Sequence, residues 1–171
     1  MKKILLLFTA LGALTLTSCS NDDDVIVSGS DTISEVFEVN NVFFTEAGNY
    51  SITVPLDPVI LNNDVVLVYR LTGKDEFGND VWSLTPNIVY TPSGEARYTS
   101  DFSIASVVIY FDTDYTPTLQ PQLIQNQVFR IAILPGSSNG QARAAKVDFK
   151  NYNAVIKAYN INDSKIKTIK L

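Results

Sequence analysis

The chain lacks several of the side-chain combinations that carry out nucleophilic, acid–base and redox chemistry in proteins. It contains no histidine among its 171 residues, and Cys19 is its single cysteine. The absence of histidine excludes a Ser-His-Asp triad and the mixed histidine and cysteine sets that bind zinc. The sequence also contains no glycine-rich phosphate-binding loop. We therefore expect a protein that is not an enzyme and that uses no cofactor.

A Ser-Lys dyad and clustered carboxylates are the remaining candidates for chemistry, and neither shows a recognisable motif. Asp112 and Asp114 flank one threonine, a spacing that can place two carboxylates on one calcium ion. The glycine and glutamate of an EF-hand loop are missing, so a turn that ends a strand is the simpler interpretation. A hydrolase of surface polymers would need two carboxylates about 5–10 Å apart, and Asp101, Asp112 and Asp114 form the cluster to test. Residues 75–80 form a second acidic group, which a hairpin tip explains more simply than calcium.

Aromatic side chains are the second kind of candidate, because exposed rings can stack on sugars. Aromatic residues make up 11% of the chain, and the candidates for a ligand-binding platform are Trp82, Tyr90, Tyr98 and Tyr115. In β-sandwiches, however, most aromatic rings contribute to the core. The sequence alone leaves both interpretations open.

Short β-strands are the elements that would position these residues. Apolar runs separated by turn residues predict strands at 33–44, 50–54, 65–71, 81–84, 87–91, 96–102, 107–111 and 128–134. Asn40 and Asn41 predict a bulge in the first strand. The run at 65–71 is apolar enough to be a central strand with both faces covered. Turn residues predict that it forms a hairpin with 81–84, and that 87–91 and 96–102 form another.

The last part of the chain changes its period. From Phe149 to Tyr159 apolar side chains recur at helical spacing, with Asp148 or Asn151 as the N-cap and Asn160 at the end. Residues 165–171 predict a final edge strand with outward lysines. The fold class that follows is mostly all-β: an immunoglobulin-like two-sheet β-sandwich with one short C-terminal helix, which we expect to dock on one end of the sandwich.

The first 31 residues predict an export signal and a tether. Residues 4–16 are apolar and uncharged, but they are too few to span a membrane, which takes about 20 residues. The sequence from Leu16 to Cys19 resembles the lipobox of bacterial lipoproteins. This resemblance implies that residues 1–18 are removed as a signal peptide and that Cys19 becomes a diacylated N-terminus. The alternative is an ordinary cysteine after a plain signal peptide.

Three acidic residues follow the cysteine. Asp22, Asp23 and Asp24 resemble the acidic tether that directs Bacteroidota lipoproteins to the cell surface. The alternative is a solvated spacer that happens to be acidic. We therefore divide the chain into a signal peptide at 1–18, an acylated tether at 19–31 and one domain at 32–171.

The domain itself resembles a family of small flavobacterial (Bacteroidota) surface lipoproteins. The segments that carry this resemblance are 36–39, 64–71, 81–82, 126–130 and 152–156. The resemblance covers nearly the whole domain and implies a lipid-anchored protein of the outer membrane that faces the cell exterior. It implies no activity.

Charge is distributed unevenly along the chain. Residues 20–129 carry a net charge of −13, whereas residues 130–171 carry +6. The basic part either packs beside acidic strands within the domain or forms a face for an acidic partner. Net acidity argues against nucleic acid as a partner. We expect a membrane-anchored binding or accessory module for an envelope protein or a glycan, with a structural coat component as the alternative.

Overall fold

The computed structural model describes residues 34–136 and 147–171, and these form two packed β-sheets. The predictions for Cys19 and for Asp22, Asp23 and Asp24 lie outside the described residues. The strands are β1 (Glu35–Val42), β2 (Ser51–Pro55), β3 (Val65–Lys74), β4 (Asp80–Leu84), β5 (Asn87–Thr91), β6 (Gly94–Phe102), β7 (Ser106–Thr113), β8 (Gln127–Leu134) and β9 (Lys167–Ile169). The helices are α1 (Pro121–Ile124) and α2 (Tyr152–Ala158). The predicted all-β sandwich is confirmed.

The two sheets have five and four strands. The order is β4-β3-β8-β1-β9 in the first sheet and β2-β7-β6-β5 in the second. Neighbouring strands are antiparallel except β1 and β9, which are parallel. Both predicted hairpins are confirmed, because β3 pairs with β4 and β5 pairs with β6. The final edge strand is also confirmed, although it is shorter than predicted.

The predicted bulge in β1 is present. The pairing of β1 with β8 shifts between Val39 and Val42, and Asn41 has a φ of 55°. Asparagine tolerates this left-handed conformation better than most residues. The bulge ends the regular pairing next to Phe44, whose backbone N–H donates to the carbonyl of Ile124 in α1.

The core between the sheets is built from alternate residues of the strands. Aromatic rings occupy its centre, with neighbouring centroids 5.1 to 6.1 Å apart, and they belong to Phe44, Tyr98, Phe111 and Phe129. Arg70 of β3 is also buried there. Its guanidinium lies 4.1 Å from the Tyr98 ring centroid and donates from Nε to the side chain of Gln127.

Helix α2 covers the outer face of the five-stranded sheet, so its predicted place at one end of the sandwich is wrong. Leu67 and Tyr69 of β3 and Ala132 and Leu134 of β8 point outward and need a cover, and the apolar stripe of α2 provides it. The Tyr69 and Tyr152 rings meet at 5.2 Å in this second cluster. Strand β3 therefore has both faces covered, as predicted.

The ends of α2 follow the predicted chemistry. The side chain of Asn151, rather than that of Asp148, caps the helix by accepting from the N–H of Ala154 at 3.1 Å. Asn160 lies just beyond the end with a φ of 52°. Between β7 and β8, Pro121 starts the short helix α1, which buries Leu123 and Ile124. No helix within 34–136 and 147–171 is long and apolar enough to cross a membrane.

Candidate ligand-binding groove

An open groove lies between the tip of the β3–β4 hairpin and the start of α2, on the outer side of the five-stranded sheet. Its volume is about 820 Å³, within the usual range of about 300–1,000 Å³ for small-molecule sites. Strands β3, β4 and β8, helix α2, the β3–β4 turn and the segments on either side of α2 contribute the lining. The lining residues are Lys74, Asp75, Gly78, Asn79, Asp80, Val81, Trp82, Arg130, Asp148, Lys150, Asn151, Tyr152, Asn153 and Asp163.

Arg130 projects from β8 into the lining of the groove, where it contacts both aromatic rings of the site. Its guanidinium carbon lies 4.1 Å from the Trp82 ring centroid and 5.1 Å from that of Tyr152. Nε donates to the Glu38 carboxylate at 3.0 Å, directly across the β1–β8 pairing, and Nη1 donates to the Tyr152 hydroxyl at 2.9 Å. This arrangement fixes both rings and the guanidinium, so the groove is organised before any ligand arrives.

Tyr152 and Asp163 complete the surroundings of Arg130. Burial raises the pKa of Tyr152 to about 12, although the charge of Arg130 opposes this shift. The hydroxyl therefore stays protonated at neutral pH and can donate a hydrogen bond while it accepts one from Arg130. Asp163 approaches the guanidinium to 3.9 Å from the turn that follows α2.

The hairpin forms one wall of the groove and is stabilised by its own polar groups. The Asp75 carboxylate accepts hydrogen bonds from the backbone N–H groups of Phe77 and Asn79 and from the Asn79 side chain. These bonds lower the pKa of Asp75, chiefly through Asn79. The Lys74 ammonium contacts Asp80 at 2.7 Å. The predicted hairpin tip at 75–80 is thus confirmed, with the carboxylates of Asp75 and Asp80 engaged within the hairpin.

The start of α2 forms the opposite wall. The Asp148 carboxylate accepts from the backbone N–H of Lys150, and the Asn151 side chain caps the helix. The exposed side chains of Lys150 and Asn153 make no hydrogen bond or ion pair with the part of the chain that the structure describes. Their polar groups are therefore free to meet a ligand.

The chemistry of the groove suits a neutral polyhydroxylated ligand. Three cationic and four acidic side chains line it, so its charges nearly balance. Amide, carboxylate and ammonium groups together offer both donors and acceptors. Phe77 stands 82% exposed at the hairpin tip beside this lining. Such a ring can stack on a sugar while polar groups bind its hydroxyls.

The structure does not bring the four predicted aromatic residues together. Trp82 lines the groove, half-buried against Tyr152. Tyr98 is fully buried in the core, where its hydroxyl donates to the Leu123 carbonyl, and Tyr115 packs against the same core. Tyr90 is 79% exposed but lies in the four-stranded sheet. Alternation along β6 turns Tyr98 inward, so Tyr98 belongs to the core, and these four residues do not form one platform.

The three carboxylates of the predicted cluster, Asp101, Asp112 and Asp114, do not share one site. Asp112 forms an ion pair with Arg97 at 3.0 Å, and Asp114 accepts from the backbone N–H of Glu95 at 2.8 Å. Asp101 lies opposite Val108, four positions along the sheet from Asp112, which corresponds to roughly 13 Å. This spacing does not suit a pair of glycosidase carboxylates. The residues that the structure describes contain no group of three or more metal-ligating side chains.

Sequence reasoning did not identify Arg130, Tyr152, Asp163 or Phe77 as site residues. Arg130 is the single charged residue of the apolar strand β8. A charge in such a strand needs an oppositely charged partner. Its partner Glu38 is 92 positions away in the sequence, and only the register of β1 on β8 reveals the pair. In the sequence, Tyr152 belongs only to the apolar stripe between Phe149 and Tyr159.

Comparisons with known proteins returned no relative. No family model matches the chain, and neither does any curated protein or any solved structure.

Proposed function

We propose that this protein is a lipid-anchored lipoprotein of the outer membrane surface whose sandwich binds a neutral glycan without catalysis. The observation that carries the proposal is the groove, which is lined by a nearly balanced set of amides, carboxylates and cations. The exposed ring of Phe77 lies in the same turn as the lining residues Asp75 and Gly78. The anchor is supported by the sequence around Cys19 and the acidic residues after it. Two or more acyl chains on Cys19 give stable membrane attachment.

A glycan suits the groove better than a protein partner does. Protein interfaces have an apolar or aromatic centre with a polar rim, whereas the lining here is chiefly polar. Its charges nearly balance, which favours a neutral sugar over an anionic one. Sugar hydroxyls both donate and accept, so they match a lining that contains Asn153, Lys150 and Asp148.

The contacts of the groove carboxylates support binding without catalysis. Asp75 and Asp80 stabilise the hairpin, Asp163 lies beside Arg130, and Asp148 accepts from the backbone at the start of α2. A glycosidase needs one carboxyl that keeps its proton near neutral pH and a second carboxylate across the bond to be cleaved. The hydrogen bonds to Asp75 lower its pKa, which is the wrong direction for a general acid.

Glycan binding is tested with the purified protein on an array of neutral and anionic oligosaccharides. We expect saturable binding to neutral members, weakened at least tenfold by Phe77→Ala and by Lys150→Ala combined with Asn153→Ala. These side chains are exposed, so the variants keep the fold. Tyr90→Ala removes an equally exposed ring outside the groove and serves as the matched control. Equal binding by all variants, or no binding to any sugar, would contradict the proposal.

The anchor is tested separately in cells. Cys19→Ser should release the protein from the membrane fraction, because no thiol remains to be acylated. Replacing Asp22, Asp23 and Asp24 with alanine should keep the acyl chains but prevent surface exposure, which external protease measures. If the Cys19→Ser protein stays integrally attached, the lipidation proposal fails, whatever the glycan array shows.

A further inference from the structure

One end of the sandwich carries exposed apolar side chains at the tips of two loops. Val59, Phe102 and Ile104 are 59%, 52% and 47% exposed, and we refer to these three residues as the apolar tip. The loop at 56–64 and the β6–β7 turn are joined by backbone hydrogen bonds from Leu56 and Ile60 to the turn. Side chains at a loop tip need no apolar character for folding, so another role is expected of them.

The apolar tip lies at the end of the domain where the N-terminal chain enters. Glu35 at the start of β1 pairs with Ile133, and Val65 at the start of β3 pairs with Leu134. The starts of β1 and β3 are therefore about 10 Å apart, separated only by β8. The loop at 56–64 runs directly into β3 and holds the β6–β7 turn at the same end.

We propose that the apolar tip inserts into the lipid interface beside the acyl anchor. This inference rests on the proposed lipid anchor at Cys19. Fourteen residues separate Cys19 from Ser34, a length that spans up to roughly 50 Å when extended and can also fold back. The tip therefore lies within reach of the surface to which the chain would be anchored.

Because of the tether, the apolar tip needs only a weak affinity for the membrane. Three half-exposed apolar side chains bind a membrane poorly by themselves, but the anchor would hold them near the surface at a high effective concentration. Asp57 is exposed on the loop at 56–64, and Asp101 is exposed near the end of β6. These carboxylates would stay in water, so we expect shallow insertion that is insensitive to salt and does not require anionic lipid.

Insertion of the tip would turn the groove away from the membrane. Strand β3 runs from Val65 at the tip end to Lys74 at the groove, a distance of roughly 30 Å. The glycan site would then face outward at a fixed orientation instead of swinging freely on the tether.

Tryptophan fluorescence in lipid vesicles tests the insertion. The lipidated protein is reconstituted into phosphatidylcholine vesicles that carry brominated acyl chains, which quench tryptophan on contact. Trp82 is the single tryptophan of the chain, so Trp82→Phe provides a silent background. Phe102→Trp then places a probe at the tip. Tyr90→Trp places one at another exposed position, near the opposite end of β6 from Phe102.

We expect at least threefold stronger quenching and a blue-shifted emission for the probe at position 102 relative to that at position 90, at both low and high salt. Ile104→Trp is a second tip probe if the first variant folds poorly. Equal quenching of the tip and control probes would overturn the proposal. A tip probe that is already blue-shifted without vesicles, and more so at higher protein concentration, would also overturn it by indicating a second copy as the partner.

The test separates failure of the tip from failure of the anchor. Mass spectrometry first determines whether Cys19 is acylated. If it is not, a thiol-reactive phospholipid attached to Cys19, the single cysteine, supplies the same tether. The tip probes then report insertion independently of natural lipidation and of glycan binding.

Discussion

At the scale of single residues, Arg130 links the stability of the domain to the shape of the groove. Its side chain is only 15% exposed and its partner Glu38 is 19% exposed. The same guanidinium stacks on Trp82 and bonds the Tyr152 hydroxyl. A planar group with several donors can make these contacts together, whereas a lysine ammonium cannot.

Arg130→Met should therefore destabilise the protein far more than a comparable change on the surface. The variant leaves the largely buried Glu38 carboxylate without its partner, which costs about 2–4 kcal/mol in the free energy of unfolding. Lys74→Met removes the exposed pair with Asp80 and should cost less than about 0.5 kcal/mol. Urea denaturation of both variants measures the difference.

A second variant identifies the cause of this loss. Combining Arg130→Met with Glu38→Leu removes both charges, so we expect it to recover much of the lost stability. If the double variant is as unstable as Arg130→Met, the stacking on Trp82 and Tyr152 dominates, and the argument from Glu38 is wrong.

At the scale of elements, α2 determines whether the groove exists. The helix covers the outer face of the five-stranded sheet, and its first turn forms one wall. A seven-residue helix is too short to be stable alone. Its stability therefore comes from packing and from the cap at Asn151.

Asn151→Ala should cost about 1 kcal/mol in the free energy of unfolding, because the N–H of Ala154 loses its acceptor. Asn153 is the matched control, an exposed asparagine in the same turn that caps nothing. Asn153→Ala should be neutral or slightly stabilising, since alanine favours helix. Hydrogen exchange in the first turn of α2 should quicken in the first variant only, and equal exchange in both would contradict the role of the cap.

The sequence predicted the strands better than it predicted the site, and the reason is physical. Strands, the bulge at Asn41 and the cap at Asn151 depend on near neighbours in the chain, which the sequence displays directly. The position of α2 depends on which sheet has two apolar faces. Leu67 and Tyr69 indicate this sheet, because the continuous apolar run of β3 needs a cover on its outer side.

The groove shows the limit of such reasoning. Its polar lining comes from β3, β4, β8 and α2, so no short motif contains it. The aromatic candidates could not be sorted without knowing which face of each strand is inside. Tyr98 and Tyr90 lie on neighbouring strands, yet one is fully buried and the other is 79% exposed.

At the scale of the whole molecule, the five-stranded sheet joins two apolar clusters that lie on its opposite faces. Tyr98 belongs to the inner cluster, and Tyr69 and Tyr152 belong to the outer one. Burial raises the pKa of all three tyrosines, to about 12 for Tyr98 and Tyr152. Because the clusters share β3 and β8, we expect the domain to unfold as one cooperative unit.

Alkaline pH should weaken the domain through these tyrosines. In the unfolded chain tyrosine loses its proton near pH 10, whereas Tyr98 in the folded chain keeps it until about pH 12. The unfolded state therefore binds fewer protons between these values, and stability falls as pH rises from about 10 to 12. At pH 11 the loss is about 1.4 kcal/mol for each such tyrosine. Below pH 9 this contribution is fully present.

Comparison with Tyr98→Phe isolates one of these groups. At pH 8 the variant should be about 1–2 kcal/mol less stable than the wild type, because the Leu123 carbonyl loses its donor. At pH 11 that difference should shrink towards zero, since phenylalanine has no proton to lose. Urea denaturation followed by both tyrosine fluorescence and circular dichroism measures the two values. A difference that stays constant with pH would contradict the assignment to Tyr98, and separate transitions by the two probes would contradict cooperative unfolding of the two clusters.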